Sequence, residues 1–368
     1  MKILHVITSL RVGGAEMLMG SLLPQLKQKG YEVSLYVFLG IRTPISERLE
    51  AAGVSVIMGD ETISVYHPKH IFKLRQLLPH YDIIHTHNTS PQFFSVIANL
   101  GIHIPLVTTE HSTNNRRRNI FCFRPIDKWM YQQYWRVVCI SECCKKNLMD
   151  YVGMSTANVC VINNGIDVAR FSNAVASAEY NHQTLGAPYI VINVAGFRWE
   201  KDQATIIHAL GRLPQTYHLL LVGDGEAERI AACRQLSTDL HISDRVHFLG
   251  IRTDVGSLLK AADVVVMSSH FEGLSLSNLE GMAAGRPFVA SDVDGLRDIV
   301  GGYGVLFPHG NAEALACVIR ELCEDPDYAT TIAARCQQRA KEFDISKMVA
   351  GYDALYHEIY DESCLRKN

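Results

Sequence analysis

Residues 270–292 read HFEGLSLSNLEGMAAGRPFVASD, and this stretch carries the strongest structural signal in the chain. The apolar run AADVVVMSS precedes it and predicts a buried strand that ends near Ser268. A Gly/Ser loop follows, and Leu276–Ala284 then has the spacing of a helix. The inner face of this helix would carry Leu279, Met282 and Ala283. A strand, a loop and a helix in this order are typical of parallel α/β proteins.

An anion site is predicted where this loop meets the helix. The first N–H groups of a helix have no internal partners, and the helix dipole favours negative charge there. Gly273 and Ser275 would let a phosphate approach the backbone closely. Glu280 could then accept hydrogen bonds from a ribose diol, and Glu272 from the hydroxyls of a sugar. The alternative is that Glu272 is a charge at a helix N-terminus and Glu280 a solvated carboxylate.

Short apolar runs alternate with helical patterns along the whole chain. The candidate strands are Ile3–Ile7, Glu32–Phe38, Ser55–Met58, Ile83–His87, Leu106–Thr109, Arg136–Ile140, Val159–Ile162, Tyr189–Ala195, His218–Val222, Val246–Phe248, Val264–Met267 and Phe288–Ala290. Such strands, separated by amphipathic helices, predict parallel sheets that are covered on both faces. We therefore expect two doubly wound, Rossmann-like α/β domains that face each other across a cleft.

The domain boundaries follow from one polar stretch. Residues 164–188 are rich in small residues and weakly periodic, which is typical of an interdomain linker. The prediction is an N-terminal domain over 1–170, a linker over 171–187 and a C-terminal domain over 188–345. The last segment, 346–368, has the apolar spacing of an amphipathic helix, which either packs on its own domain or crosses back to the first.

The composition is that of an ordinary globular protein. The 368 residues are 48% hydrophobic and 20% charged, enough for two domains with their own cores. The ten cysteines include no CxxC pair, so we expect reduced thiols in the cytoplasm. The opening MKILHVITSL is interpreted as a first strand rather than a signal peptide, and no run of about 18 apolar residues could span a bilayer. Residues 1–175 carry 18 Lys and Arg against 12 Asp and Glu, whereas the remainder carries 17 against 26.

The longer stretch EGLSLSNLEGMAAGRPFVASDVDG resembles the retaining glycosyltransferases of family 4, which have the two-domain GT-B fold. Its two glutamates are separated by seven residues, as in that family. Further stretches follow the family's order, namely RVGGAE, NGID, LVGDGEAER, HFLGIRTDV and GVLFPHGN. The resemblance extends over nearly the whole chain. The matching motifs are specific for the family and hardly distinguish among its substrates.

The resemblance implies a donor site in the C-terminal domain. In relatives the first glutamate of the pair contacts the donor sugar and the second holds the ribose, which matches Glu272 and Glu280. The backbone of Leu274–Ser277 would hold the diphosphate. The backbone near Gly250 and Ile251 would contact the base, and GVLFPHGN is interpreted as a turn that closes the base pocket.

A basic pair on the leaving diphosphate is also implied, because two cations there offset charge that grows as the glycosidic bond breaks. Lys201 matches the family's lysine. Gly196 stands where relatives often have the arginine; Arg198, two residues later, either reaches the same site or is a solvated residue at a helix entry. The resemblance implies a metal-independent reaction with no cofactor besides the nucleotide-sugar co-substrate. Asp292 and Asp294, which have a DxD pattern, are therefore predicted to be structural.

The N-terminal domain would supply the acceptor side. The Gly13-Gly14 loop after the first strand would face the phosphates and the acceptor, since two glycines permit close backbone approach. His111 matches a loop histidine that relatives place near the transferred sugar, where it could donate to a hydroxyl or stabilise developing charge. His87 and Asn88 are further acceptor-side candidates. For each of these histidines the alternative is a ring satisfied within its own loop.

Residues 115–136, NRRRNIFCFRPIDKWMYQQYWR, mix arginines with aromatic residues. This mixture suits an anionic membrane surface or a lipid-linked acceptor. Nucleic-acid surfaces can share it, but no nucleic-acid fold accompanies it here, so we expect no nucleic-acid partner. The alternative is a helix whose aromatic residues belong to the core and whose arginines are solvated.

Together these features predict a retaining glycosyltransferase that moves a sugar from a UDP- or GDP-type donor to a saccharide or lipid-linked acceptor. Surface polysaccharide or glycolipid synthesis in the cytoplasm, at the inner face of the membrane, is the expected setting. One alternative is a nucleotide-sugar epimerase. Another is a non-catalytic nucleotide-sugar-binding subunit, which the missing arginine at Gly196 favours. A dinucleotide oxidoreductase is disfavoured, because the chain has no GxGxxG fingerprint.

Overall fold

The computed structural model describes residues 1–11, 13–111, 120, 122–153 and 158–367. The chain divides into two compact units, one formed by Met1–Gly165 with Ile345–Asn368 and the other by Ile166–Asp344. Each unit is built on one parallel β-sheet with helices between successive strands. This agrees with the α/β class predicted from the alternating apolar and amphipathic segments.

The first unit contains a seven-stranded sheet. Its strands are β1 (Lys2–Ile7), β2 (Glu32–Val37), β3 (Ser55–Met58), β4 (Ile83–His87), β5 (Leu106–Glu110), β6 (Arg136–Cys139) and β7 (Val159–Val161). The helices between them are α1 (Gly14–Gln28), α2 (Pro44–Ala51), α3 (Lys69–Leu77), α4 (Thr89–Asn99), α5 (Phe123–Gln132) and α6 (Glu142–Val152). The strand order is β3-β2-β1-β4-β5-β6-β7, so β1 lies between β2 and β4.

The central strands of this sheet are buried on both faces, as parallel strands covered by helices must be. Every residue of β4 and of β5 is buried. The register pairs His5 of β1 with His85 of β4, and β5 continues the sheet beyond β4. Polar side chains from three neighbouring strands are thereby brought together inside the unit.

The second unit contains a six-stranded sheet. Its strands are β8 (Tyr189–Val194), β9 (Tyr217–Val222), β10 (Val246–Gly250), β11 (Val264–Met267), β12 (Phe288–Ser291) and β13 (Val305–Phe307). Its helices are α7 (Val168–Ser172), α8 (His182–Leu185), α9 (Gln203–Leu210), α10 (Ala227–Asp239), α11 (Val255–Ala261), α12 (Leu276–Ala283), α13 (Leu296–Val300), α14 (Ala312–Glu324) and α15 (Pro326–Ala340). The strand order is β10-β9-β8-β11-β12-β13, and all pairs are parallel.

Twelve of these thirteen strands were predicted, and β13 was not. The segment GVLFPHGN was interpreted as a turn, but its first part forms β13 and pairs with β12. Three residues are too short a run to be recognised beside glycine and proline. The turn begins after Phe307, and Asn311 then caps α14. The helix predicted over Leu276–Ala284 is α12, and its three predicted inner residues are all buried.

The predicted linker, residues 171–187, lies within the second unit. It contains the short helix α8, and the Ser177 N–H donates to the carbonyl of Ser257 at 2.9 Å. Polar composition suggested a linker, but local capping and this bond to α11 give the segment a fixed place. The change of unit occurs instead between Gly165 and Ile166.

The last helix, α16 (Ile345–Lys367), belongs to the first unit. Its apolar face is buried, with Met348, Tyr352, Tyr356 and Ile359 at most 3% exposed. Asp353 accepts hydrogen bonds from Lys29 at 2.8 Å and from Tyr31 at 2.6 Å, which ties α16 to the end of α1. Across the described residues, no helix has both the length and the apolar character that a bilayer-spanning segment requires.

Candidate functional site

The second unit places the predicted Lys201 and Glu272 in direct contact. Lys201 ends a short 3-10 turn after β8, Glu272 lies in the loop after β11, and their side chains form an ion pair. These side chains are 15% and 13% exposed, so the pair is largely shielded from water. The Ser269 hydroxyl also donates to Glu272 Oε2 at 3.3 Å. Both charges are therefore held at one point beside the carboxyl ends of β8 and β11.

Two close approaches fix the backbone around this pair. The Ser268 hydroxyl donates to the carbonyl of Asp202 at 2.7 Å, which joins the loop after β11 to the turn that carries Lys201. Gly295 has φ +82°, and a Cβ at this position would lie 2.0 Å from the carbonyl oxygen of Glu272. A side chain cannot be accommodated there, so Gly295 is required for the loop to hold Glu272 in place.

The loop from Gly273 to Ser275 leads directly into α12. Ser275 occupies the N-cap position, yet its side chain does not cap the helix, and its Oγ lies 2.9 Å from Ser277 Oγ instead. The first turn of α12 thus lacks the usual side-chain acceptor for its N–H groups. Leu274 is buried and anchors the loop. This is the arrangement that the sequence predicted for an anion site.

Glu280 lies in the second turn of α12. Burial raises the pKa of its carboxyl from 4.5 to about 7, although the positive charge of Arg170 on α7 acts in the opposite direction. No hydrogen bond or ion pair joins this carboxyl to the described residues. A partly buried carboxylate without a partner carries a desolvation cost that a ligand with hydroxyl donors can relieve.

Replacing Glu280 with glutamine is expected to change how the stability of the ligand-free protein depends on pH. Folding raises the pKa of this carboxyl from 4.5 to about 7. The contribution of its protonated form to the free energy of unfolding is therefore fully present below pH 4.5 and is lost as pH rises through 7. Relative to wild type, the free energy of unfolding of the glutamine variant should therefore increase by roughly 2 kcal/mol as the pH is raised from 5 to 8. Thermal unfolding at stepped pH measures this difference. Glu313→Gln, an exposed glutamate on α14, is the matched control, and a pH-independent difference at Glu280 would contradict the assignment.

The structure shows where Arg198 lies relative to Gly196, the position at which relatives often have an arginine. Arg198 is exposed and forms no ion pair or hydrogen bond through its side chain within the described part of the chain. A Cβ built on Gly196 would lie 3.9 Å from Arg198 Nε, so the Arg198 side chain folds back over the position where an arginine is missing. The same Cβ would lie 3.2 Å from the carbonyl of Asp224. Glycine at 196 therefore leaves room that Arg198 partly occupies.

Gly250 ends β10 with φ +64°, and no atom lies within 4 Å of a Cβ built there. Its carbonyl accepts a hydrogen bond from the Gly223 N–H at 2.8 Å, and the neighbouring Ile251 is 56% exposed. The backbone at this strand end is therefore open to a ligand on one side. This geometry permits the predicted base contact.

Two features of the second unit were not anticipated. Trp199, His270 and His309 form a ring cluster beside Lys201, with His270 Nδ1 and His309 Nε2 at 2.7 Å. Asn278 is fully buried on α12, and neither polar atom of its amide has a partner. His309 follows β13, which brings it beside the loop after β11. Because β13 was not predicted, this contact could not be predicted either.

In the first unit, the predicted glycine loop forms the start of α1. Gly13 is the N-cap, and a Cβ there would lie 2.3 Å from the Glu16 carboxylate, whereas Gly14 is open. Asn88 follows β4 with φ +69° and ψ 163°, a backbone conformation that costs about 1–3 kcal/mol for a residue other than glycine. Strain of this kind is concentrated at functional sites.

The predicted His111 is linked to two buried histidines. His111 Nε2 lies 2.9 Å from His87 Nδ1, and His87 Nε2 lies 3.0 Å from His5 Nδ1. Burial lowers the pKa of His111 to about 4 and that of His5 to about 3, and it lowers the pKa of His87 well below its usual range. At neutral pH these rings are uncharged. His87 is fully buried and uses both ring nitrogens within the protein, so it lies behind His111 rather than on an open surface.

The basic and aromatic segment 115–136 lies partly outside the described residues, since 115–119 and 121 are not described. In the remainder, Tyr131 and Tyr134 are core residues, and the Tyr131 hydroxyl donates to the Glu110 carboxylate at 2.5 Å. Ile126 and Trp129 are 43% and 39% exposed on α5. The segment is thus divided between the core and an exposed face.

Within the described residues, two groups bring three metal-ligand side chains together. The ligand atoms of His5, His85 and His87 lie within 4.8 Å of one another, as do those of Asp202, His270 and His309. The DxD-like aspartates are used differently, because Asp292 and Asp294 pair with Arg297 at 2.6 and 3.2 Å on the surface.

Comparison with known proteins identifies two matching families. Residues 12–170 match the family described as Glycosyltransferase Family 4, and residues 188–325 match Glycosyl transferases group 1. N-acetyl-alpha-D-glucosaminyl L-malate synthase of Bacillus anthracis is 24% identical over 95% of this chain and 94% of its own length. The Escherichia coli UDP-Gal:alpha-D-GlcNAc-diphosphoundecaprenol alpha-1,3-galactosyltransferase is 26% identical over 58% of this chain and 59% of its own. The crystal structure of Anabaena Alr3699/HepE in complex with UDP-glucose superposes with a TM-score of 0.85 at 23% identity, covering 97% of this chain and 99% of the other.

Two parallel Rossmann-like sheets with this structural similarity define the fold as that of GT-B glycosyltransferases. The chain belongs to glycosyltransferase family 4, since its two family matches occupy most of its length. The fold class and family predicted from the sequence are confirmed, and the protein is a glycosyltransferase.

Proposed function

We propose that this glycosyltransferase moves a sugar from a nucleotide-diphosphate-sugar to an acceptor hydroxyl with retention of anomeric configuration. The observation that carries the proposal is the shielded Lys201–Glu272 pair beside the uncapped start of α12, with Glu280 on the same helix. A cation, free amide groups and two carboxylates around one loop match a diphosphate with a sugar on each side.

In this proposal each group contacts one part of the donor. Glu272 accepts hydrogen bonds from hydroxyls of the transferred sugar, and the amides of Gly273–Ser275 bind the diphosphate. Glu280 accepts hydrogen bonds from the ribose diol, which relieves the desolvation that raises its pKa. The open backbone at Gly250 contacts the base.

The reaction needs positive charge where the glycosidic bond breaks. The bond from the anomeric carbon to the diphosphate oxygen breaks, the acceptor oxygen bonds on the same face, and the acceptor proton passes to the leaving diphosphate. Lys201 leaves Glu272 for the diphosphate when donor binds, and Arg198 adds a second cation from its place over Gly196. We propose that these cations and the α12 amides suffice without a metal ion.

The first unit contributes the acceptor side. His111 contacts the transferred sugar, and Gly13, Gly14 and the strained Asn88 face the acceptor. The roles of Gly13 and Gly14 require the Glu16 carboxylate to move away from the loop, because it now lies against Gly13. His87, predicted as an acceptor contact, is assigned here to support His111.

The acceptor that we propose is a saccharide carried on a lipid. The Escherichia coli relative acts, by its name, on a diphosphoundecaprenol-linked sugar. The exposed face of α5 carries Trp129 and Ile126 beside Lys128 and Arg124, a combination that suits an anionic membrane surface. We propose on this basis that the enzyme works in the cytoplasm at the inner membrane face. Liposome sedimentation that is independent of lipid charge would contradict the contact.

A thermal-shift panel of UDP-, GDP-, ADP- and CMP-sugars, with free UDP and GDP, tests the donor class. A nucleotide at 100 times its dissociation constant should stabilise the protein by about 2.7 kcal/mol. We expect one base to give this shift, with a UDP or GDP donor favoured, as UDP-glucose occupies the Anabaena crystal. No shift with any nucleotide would contradict the proposal.

The second candidate is a non-catalytic nucleotide-sugar-binding subunit, which Gly196 favours because an arginine is missing there. It predicts the same thermal shift without turnover. Incubating donor with crude lipid acceptor and measuring released nucleotide separates the two, since only an enzyme releases nucleotide that depends on acceptor. An epimerase would instead convert the donor without any acceptor.

A further inference from the structure

The histidines behind His111 form a directional series of contacts. In each step an Nε2 atom faces the Nδ1 atom of the next ring, from His111 to His87 at 2.9 Å and from His87 to His5 at 3.0 Å. His5 Nε2 then lies 3.5 Å from the hydroxyl of Tyr356 on α16. The Tyr356 hydroxyl lies 2.5 Å from His85 Nδ1. His111 Nδ1, at the other end of the series, has no hydrogen-bond partner among the described residues.

Neutral rings in such a series must all point the same way. An uncharged imidazole has one N–H donor and one bare acceptor nitrogen. If His87 accepts a hydrogen bond at Nδ1, its own proton lies on Nε2 and it donates from there. The same holds for His5. Either every ring carries its proton on Nε2, or every ring carries it on Nδ1. The direction is therefore a property of the whole series.

Tyr356 sets this direction. Burial raises the pKa of Tyr356 well above its usual range, so its hydroxyl keeps its proton. The 2.5 Å separation from His85 Nδ1 fits an O–H donor and is shorter than ordinary N–H···O bonds. The phenol therefore donates to His85, whose Nε2–H donates to Thr109 Oγ1 at 2.7 Å. This leaves the Tyr356 oxygen as an acceptor toward His5 Nε2.

We infer that His5, His87 and Tyr356 are positioning residues that hold His111 in the tautomer protonated on Nε2. His111 then presents a bare Nδ1 and accepts a hydrogen bond from a ligand hydroxyl, instead of donating one. The catalytic meaning of this inference rests on the proposed role of His111 at the transferred sugar. The tautomer itself does not depend on that role.

Two features lie close to the series: a carboxylate and a cluster of metal-ligand side chains. The Glu110 carboxylate, one residue before His111, accepts hydrogen bonds from Gln92 at 2.6 Å and from Tyr131 at 2.5 Å. A metal ion at His5, His85 and His87 is the competing explanation for their proximity. It would have to displace the hydrogen bonds of His5 and His85, since each ring nitrogen involved already faces a partner.

The test is two-bond 1H–15N correlation spectroscopy on the full chain labelled with [15N]histidine, with His111→Gln to identify the His111 signals. A protonated and a bare ring nitrogen differ widely in 15N shift, so the spectrum reports the tautomer directly. We expect His111 with a protonated Nε2 and a bare Nδ1 in a single form. Protonation on Nδ1, an equal mixture, or signals that move on treatment with EDTA would each overturn the inference.

Tyr356→Phe keeps the ring and removes the hydroxyl, so it should let His111 populate both tautomers. The matched control is His247→Gln, which removes one member of another histidine pair, 3.0 Å from His218 in the second unit. We expect the control to leave the His111 signals unchanged and to confirm which signals belong to His247. Should His111 stay in one tautomer in folded Tyr356→Phe, the positioning role would be refuted.

Activity gives the second measurement. With a donor and acceptor in hand, Tyr356→Phe should lower kcat in proportion to the fraction of His111 that leaves the Nε2 tautomer, roughly twofold for an equal mixture, at little change in donor KM. A changed tautomer with unchanged kcat would overturn the catalytic meaning. If no transfer is found for wild type, the spectra still decide the tautomer, so failure of the proposed function and failure of this inference remain distinguishable.

Discussion

Replacing Lys201 with methionine is expected to lower kcat by roughly 10²–10³-fold, with a smaller effect on nucleotide affinity. Lys201 is largely shielded and sits against Glu272 at the ends of β8 and β11, where water screens a charge poorly. In the proposed reaction its ammonium meets charge that grows as the diphosphate leaves. Methionine keeps the length and the packing of the side chain and removes the charge. Initial rates at saturating donor measure the change.

The control for this variant is Arg297→Met, which removes a cation from the same unit. Arg297 is 53% exposed and pairs with Asp292 at the surface, so its loss should change neither kcat nor stability by much. Arg198→Ala should have an intermediate effect if it supplies the second cation. Loss of less than tenfold in folded Lys201→Met would exclude a main role at the leaving group.

Glu280→Ala is expected to weaken nucleotide binding by roughly 100-fold, the effect of losing two hydrogen bonds from a diol to one carboxylate. The alanine variant removes a carboxyl that has no partner in the described structure, so little protein structure depends on it. Titration calorimetry with the nucleotide identified by the thermal-shift panel measures the loss.

A modified ligand separates a diol contact from a general electrostatic effect. The 2′-deoxy nucleotide should bind wild type roughly 10-fold more weakly than the ribonucleotide does. On Glu280→Ala the two nucleotides should bind with the same affinity. Asp239→Ala, on the surface of α10, is the matched loss of negative charge. Equal discrimination against the deoxy ligand in wild type and Glu280→Ala would place the ribose elsewhere.

The sequence predicted the two parallel sheets because buried strands are continuous apolar runs, whose meaning depends little on the rest of the chain. The pair of glutamates was recognisable for a similar reason, since strand, loop and helix are contiguous from Val264 to Ala283. The contact of Glu272 with Lys201 joins residues 71 positions apart, and only the family resemblance suggested that they act together.

Other features could not be predicted because they depend on the order of strands in space. His5 and His85 are distant in sequence and become neighbours because β1 pairs with β4. Tyr131 and Tyr134 were grouped with a membrane-facing surface, yet α5 and the turn after it bury them in the core. Aromatic residues near arginines have the same composition in either case, so composition does not separate the two.

The placement of α16 has a consequence for the order in which the protein can be made. The first unit is assembled from the two ends of the chain, since Ile345 onward supplies Tyr352 and Tyr356 to its interior. A ribosome must therefore synthesise all of residues 166–344 before that interior can close. Until then the nascent first sheet keeps His85 and Thr109 without their partners on α16. The second unit, continuous in sequence, can finish folding while the first is still waiting for its last helix.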